Sequence, residues 1–113
     1  MNNEAMSHIQ STDYKEDEIE LALLAKALGH PARIAIMKFL SSKDICFCGD
    51  IVQELPIAQA TVSQHLKELK SAGLIQGSIE PPKVRYCIDP EKWEHAQKLF
   101  SGFWKKSFKN IKC

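Results

Sequence analysis

The stretch QATVSQHLKELKSAGLI, residues 59–75, constrains this chain of 113 residues more than any other. Advancing about 100° per residue from Val62, Leu66 falls at about 40° and Leu69 at about 340°, one narrow apolar stripe. Gln64 and Lys67 point the opposite way, flanked by Thr61 and Ser63. The pattern predicts a helix over 59–72 that buries one side and shows water a polar face. Gly73 stands where a left-handed C-terminal cap is expected, so the helix stops there. His65, at about 300°, lies between stripe and open face. A satisfied structural hydrogen bond is its plainer reading, ahead of a base contact or a ligand role.

The segments around it are shorter and just as punctuated. PIA, residues 56–58, is the whole connection from a helix expected at 49–55, which Pro56 stops because the residue before proline disfavours helical torsions. Upstream, LGHP breaks the chain at Gly29. Pro31 suits the first turn of a helix carrying Ile34, Met37, Phe39 and Leu40, with His30 as its start residue. Before that, a helix starting near Asp13, with Glu16 as its capping-box partner, is apolar most of the way round through Ile19, Leu21, Leu24 and Leu28. Downstream, LIQGSI and KVRYCI, joined across EPP, read as a β-hairpin. Val84, Tyr86 and Ile88 face one way and Lys83, Arg85 and Cys87 the other. Asp89 then caps, and Pro90 begins, a last helix with Trp93, Ala96, Phe100, Phe103 and Trp104 at helical spacing. So many large aromatics on a terminal helix imply an interface.

Short helix, tight turn, longer helix with a polar outer face, then a basic hairpin: this is the order of a winged helix-turn-helix, mainly α with a small β-hairpin wing. The expected organisation is a polar tail at 1–12, one domain at 13–108 and a short tail at 109–113. A domain this small builds a modest core, so a second copy that covers more apolar surface is expected. No apolar run approaches a membrane span, and the first residues lack the basic start and apolar middle of a secretory signal. A cytoplasmic chain with no membrane partner is expected. The net charge of +1 is unevenly spread, with two Lys against six acids in residues 1–30 and six Lys against two acids in residues 90–113. That asymmetry permits a nucleic-acid partner without establishing one. The pattern of elements carries more: such a helix fits the major groove of duplex DNA. Gln59, Thr61, Ser63, Gln64 and Lys67 are the candidate base and phosphate contacts, with Lys83 and Arg85 on the wing reaching phosphates or the minor groove.

DICFCGDI, residues 44–51, raises a separate question, because it sets Cys46 and Cys48 one residue apart. They are a soft-metal trap, a redox switch or two small hydrophobes in a core; four cysteines in a reducing compartment leave all three open. In regular helix, residues two apart point about 200° from each other, so the pair shares an ion only where the chain is extended or just turning into helix. A helix start also favours the thiolate form, and soft sulfur ligands suit As(III), Cd(II), Pb(II) or Cu(I). A disulfide between these two would be strained, so a redox switch needs a third thiol or a persulfide bridge. No general base accompanies the pair, which argues against an enzyme.

KALGHPARIAIMKFL, CFCGDIV and QATVSQHLKELKSAGLI, followed by VRYCI, resemble the ArsR/SmtB family of metal- and thiol-responsive repressors over about residues 25–88. The resemblance implies a homodimer built by the first and last helices, here through Leu21, Leu24, Leu28, Trp93, Phe100, Phe103 and Trp104. It also implies an operator that is an imperfect palindrome of double-stranded DNA, and a cysteine box beginning at Cys46. Two departures matter. One arsenic-sensing branch has a third cysteine three residues after the second, and here Ile51 stands there. A third sulfur would have to come from Cys113, Cys87 or the other subunit, with Cys87 expected to be distant. In zinc-sensing members the last helix carries paired acid and histidine ligands. This one offers only His95 with Glu91 and Glu94, so that site is not expected.

The reading is therefore a homodimeric repressor released from DNA when a soft metal or metalloid binds Cys46 and Cys48. A repressor responding to oxidation or persulfide through the same thiols is the alternative. A winged-helix module for protein contacts is the alternative of another class.

Overall fold

The computed structural model describes residues 14–42 and 46–105, and for Cys46 the backbone alone. The elements run α1 (Glu16–Ala27), α2 (Pro31–Ser41), β1 (Cys46–Phe47), α3 (Cys48–Glu54), α4 (Gln59–Ser71), β2 (Ile75–Glu80), β3 (Lys83–Ile88) and α5 (Pro90–Lys105). This is the expected winged helix-turn-helix, with α3 and α4 as the two helices of the motif and β2–β3 as the wing. The tails at 1–12 and 109–113 lie outside the described residues.

The boundaries follow from local chemistry. Lys15 N–H donates to Glu18 Oε1 at 3.1 Å, so α1 opens at Glu16 rather than near Asp13, which is outside the described residues. His30 caps α2 by accepting Ala32 N–H on Nδ1 at 3.0 Å, with Pro31 in the first turn, where its missing N–H costs nothing. Phe47 N–H donates to Asp50 Oδ2 at 2.9 Å and starts α3 at Cys48, one residue earlier than expected. Leu55 is extended, as a residue before proline should be, and ends α3. Asp89 Oδ1 accepts Lys92 N–H at 3.2 Å at the head of α5.

α4 closes as its sequence predicts. Gly73 has a φ of 82°, Gly73 N–H donates to Lys70 O at 2.9 Å, and Leu74 N–H donates to Leu69 O at 3.1 Å. Those two bonds form a Schellman cap, and the burial of both Leu69 and Leu74 completes it. The stripe of Val62, Leu66 and Leu69 is fully buried against Ile36 and Leu40 of α2, Ile51 of α3 and Ile75 of β2. At about 1.5–3 kcal/mol for each aliphatic side chain removed from water, this seam outweighs any single polar contact in the fold.

Two features depart from expectation. The sheet has three strands in the order β1-β3-β2, because Cys46 and Phe47 pair antiparallel with Tyr86 and Arg85. Two residues are too short for any periodic signal, so β1 exists only because β3 offers it an edge. The second is Leu24, expected at a dimer interface: it is 1% exposed and sits in the core of its own chain. An all-round apolar α1 must turn one side inward, and Leu24 is on that side. No helix among the described residues is long and apolar enough to cross a membrane.

Candidate nucleic-acid interface and cysteine site

α4 is held by its buried stripe and so presents the rest of its circumference to solvent. Gln59, Thr61, Ser63, Gln64 and Lys67 are all exposed along it. Gln64 Nε2 donates to Glu68 Oε2 at 3.2 Å along the helix, a weak surface bond that water or a base edge can replace. On the wing, Lys83 is exposed with its Nζ 5.1 Å from the centre of the Phe47 ring, a cation–π contact that steadies the tip against β1. Arg85 is half-buried. Its Nη1 pairs with Glu80 across the hairpin, and its Nε is buried without a partner. Of the two wing cations, Lys83 is the more available to a phosphate.

The cysteine segment runs between these two surfaces. Cys46 is extended in β1 and Cys48 opens α3, the turn from strand into helix that shared ligation requires. Cys48 is a free, half-buried thiol whose Sγ lies 3.8 Å from Ser63 Oγ on the outer face of α4. A cleft of about 430 Å³ opens there, lined among others by Cys48, Asp50, Gln59, Ser63, Lys83 and Tyr86. Tyr86 was not anticipated from the sequence as a site residue. Burial, and next the neighbouring Cys48, push its phenol above the usual value, so it remains an O–H group beside the sulfur. It is also the register partner of Cys46. Alternation along β3 carried the signal for its face, but nothing local placed that face beside Cys48.

The other sulfurs fall differently. Cys87 is a free thiol one residue beyond the register partner of Cys46, so β3 is closer to the cysteine box than expected. It points to the opposite face of the strand from Tyr86. Cys113 and the Cys46 side chain lie outside the described residues. Ile51 is 0% exposed in the core, so that position holds packing and not a ligand. Among the described residues no three His, Cys, Asp or Glu side chains converge as metal ligands. The donor chemistry fits a thiophilic ion on the two box sulfurs, with any further donor arriving from elsewhere.

His65 is 6% exposed and accepts a 3.0 Å hydrogen bond from Arg33 Nε on its Nδ1, the structural role expected of it. His30 likewise uses Nδ1 as an acceptor. In the neutral state both rings therefore carry their proton on Nε2, which leaves neither a free lone pair for a metal. His95 Nε2 lies 2.8 Å from Glu20 Oε1, and Lys92 Nζ donates to Glu20 Oε2 at 2.9 Å. These contacts fasten α5 to α1. Glu91 is exposed, and Glu94 pairs with Lys98.

Of the expected dimer residues, Leu21, Leu28, Trp93 and Phe100 are half-buried, whereas Phe103 and Trp104 are 51% and 69% exposed. Leu28, Trp93, Phe100 and Trp104 line an apolar groove of about 450 Å³. Within one chain little of α5 is covered; Ala96 alone is buried among its described residues.

A model of the family described as bacterial regulatory protein, arsR family, matches residues 30–76, which span α2 through the start of β2. The chain is 40% identical over 79 residues to an HTH-type transcriptional regulator of Methanocaldococcus jannaschii, covering 69% of this chain and 88% of that one. It is 34% identical over 71 residues to the HTH-type transcriptional regulator CmtR of Mycobacterium tuberculosis, 63% of this chain. The match spans 59% of CmtR's own length. A crystal structure of a possible transcriptional regulator for arsenical resistance superposes with a TM-score of 0.64 at 25% identity, over 70% of this chain and 81% of that one.

Proposed function

This chain belongs to the arsR family of bacterial regulatory proteins, and from that premise we propose that it is a homodimeric repressor whose operator affinity is set by a soft metal or metalloid at Cys46 and Cys48. Membership makes it a DNA-binding transcriptional regulator; the dimer, the operator geometry and the signal are the proposal. Two copies of α4 enter successive major grooves of an imperfect palindrome, with half-sites about 34–36 Å apart or a multiple of that. The apolar groove along α5 and the uncovered Phe103 and Trp104 support pairing through that helix.

The observation that carries the regulatory reading is the 3.8 Å approach of Cys48 Sγ to Ser63 Oγ. One sulfur of the box touches a side chain on the DNA-facing side of α4. A bound soft ion supplies bonds to sulfur that compete with this contact. Cys48 then withdraws from Ser63 and from Tyr86, and the angle between α4 and the wing changes. Coupling of this kind is reciprocal, so DNA must weaken ligand binding by the factor through which ligand weakens DNA, typically about 5–150-fold. The similarity to a possible regulator for arsenical resistance makes arsenite the first ligand to try.

The test is fluorescence anisotropy of the reduced protein on a duplex from its own promoter, with and without arsenite, repeated for Cys46→Ser and Cys48→Ser. Arsenite should lower the affinity of the parent by about 5-fold or more and leave both variants bound. If arsenite, Cd(II) and Pb(II) all leave the parent bound, the metal reading fails. Release by oxidant or persulfide, reversed by reductant and indifferent to chelators, would put a thiol switch in its place. Absence of any salt-dependent duplex affinity would leave a protein-interaction module, because a phosphate-binding protein must lose affinity as salt rises.

A further inference from the structure

One guanidinium joins three helices. Arg33 of α2 donates from Nε to His65 Nδ1 on α4 at 3.0 Å, and its Nη1 reaches Ala27 O at 3.3 Å and Lys26 O at 3.5 Å. Those carbonyls belong to the last turn of α1, where backbone acceptors run out of helical donors, although Lys26 O also accepts Gly29 N–H at 3.1 Å. The contact to His65 is therefore a polar link between the buried side of α4, behind its exposed face, and the end of α1, a helix that α5 holds through Glu20, Lys92 and His95.

We propose that Arg33 is a positioning residue for DNA binding that acts through His65: it pins the recognition helix to the end of α1, and a proton on His65 releases the pin. The inference rests on the DNA-binding reading above and adds a regulatory input at a different place from the cysteines. Protonation fills the Nδ1 lone pair that accepts Arg33 Nε and leaves two donors facing each other. The loss has no compensation, because His65 Nε2 is buried without a hydrogen-bond partner. The His30 ring lies 4.6 Å away centre to centre and offers no acceptor in its place, since its Nδ1 already accepts Ala32 N–H.

Charged groups surround the pin on each packed element. α2 brings Arg33 and His30. α1 brings Glu20 and Lys26, α5 brings Lys92 and α4 itself brings Glu68, all lining the cleft that Arg33 shares. Glu20 is occupied by Lys92 and His95, and Glu68 by Gln64. On α3, Asp50 is held by Phe47 N–H and Glu54 is exposed. Among the described residues none of these carboxylates makes a hydrogen bond or ion pair with His65, whose contacts are Arg33 and the His30 ring. Burial first, and then the charges of His30 and Arg33, keep its pKa below the ordinary 6.5. A group with that sign contributes its full stabilisation above about 6.5 and loses it as the pH falls through the lowered folded value.

The experiment has two arms on the full chain. In the free protein, long-range 15N NMR of the histidine rings follows His65 through a titration while amide exchange is read along α4. On promoter duplex, anisotropy is measured at pH 7.5 and pH 5 for the parent, Arg33→Gln, Arg33→Lys, His65→Asn and the control His95→Gln. His65→Asn keeps an acceptor near the place of Nδ1 and cannot titrate. The parent should show an acceptor-type Nδ1 at neutral pH, lose α4 protection in step with His65 protonation and bind DNA about tenfold more weakly at pH 5. His65→Asn should lose most of that pH dependence, and His95→Gln should keep it. Arg33→Gln should bind as weakly at pH 7.5 as the parent does in acid, with Arg33→Lys in between.

A parent and His65→Asn with equal pH dependence would overturn the proposal. So would α4 protection indifferent to His65 titration, or parent-like DNA binding by Arg33→Gln. If neither the parent nor any variant binds duplex at any pH, the DNA-binding reading fails by itself, and the NMR arm still decides whether α4 is pinned.

Discussion

Replacing glycine by alanine at two positions should shift stability in opposite directions. At Gly73 the backbone φ is 82°, and an added Cβ would meet the flexible Lys92 side chain no closer than 3.4 Å, an ordinary contact. The cost of Gly73→Ala is therefore in the backbone and not in a clash. A left-handed non-glycine residue costs about 1–2 kcal/mol. Stiffening the unfolded chain offsets about 0.4–1 kcal/mol of it. The net expectation is a destabilisation of about 1 kcal/mol, or about 4–8 °C in Tm for a domain of this size. At Gly102, inside α5, an added Cβ meets nothing within 4 Å. There alanine improves helix propensity with no opposing strain, and Gly102→Ala should gain about 0.5–1 kcal/mol. Thermal and urea unfolding of parent and both variants at one protomer concentration measure this, since association would make Tm depend on concentration. A Gly73→Ala variant at least as stable as the parent would refute the assignment of Gly73 as the left-handed cap of α4, and a Gly102→Ala variant less stable than the parent would refute the open helical setting of Gly102.

Two further outcomes test the surface and the α1–α5 link. Lys67→Ala should leave the melting curve unchanged and lower the slope of log K against log salt by about 1 for each subunit that loses a phosphate contact; an unchanged slope removes Lys67 from the interface. The hydrogen bond from Lys92, followed by that from His95, holds the Glu20 carboxyl below its ordinary 4.5. Stability from this lowered value is present above about 4.5 and lost as the pH falls through the folded value. Glu20→Gln should therefore be less stable than the parent at pH 7 and show a flatter acid limb below about 4.5, read from urea midpoints. Equal acid limbs would show that Glu20 contributes nothing there.

Much of the frame was legible because it is local. The stripe of Val62, Leu66 and Leu69, the stop at Pro56, the cap at Gly73 and the Asp89–Pro90 start of α5 depend on torsions and periodicities that neighbours along the chain impose. The exposed side of α4 followed from its buried stripe, since a helix with one apolar face has only one way to lie. Arg85 shows where such reasoning runs short. Strand alternation put it on the face opposite Tyr86, but its half-burial and its pairing with Glu80 came from how the hairpin packs and registers.

The sequence alone therefore determined which segments are helices, where they stop and which face of α4 meets solvent. Tertiary structure decided that Leu24 and Ala27 are the residues of α1 that turn into the core, because a helix apolar on all sides has no preferred inward face until its neighbours arrive. It also gave β1 a partner, set Tyr86 beside Cys48 and joined Arg33 to a histidine 32 positions away. Those contacts link groups far apart in the chain, and their geometry depends on how whole elements pack rather than on any pattern within one of them.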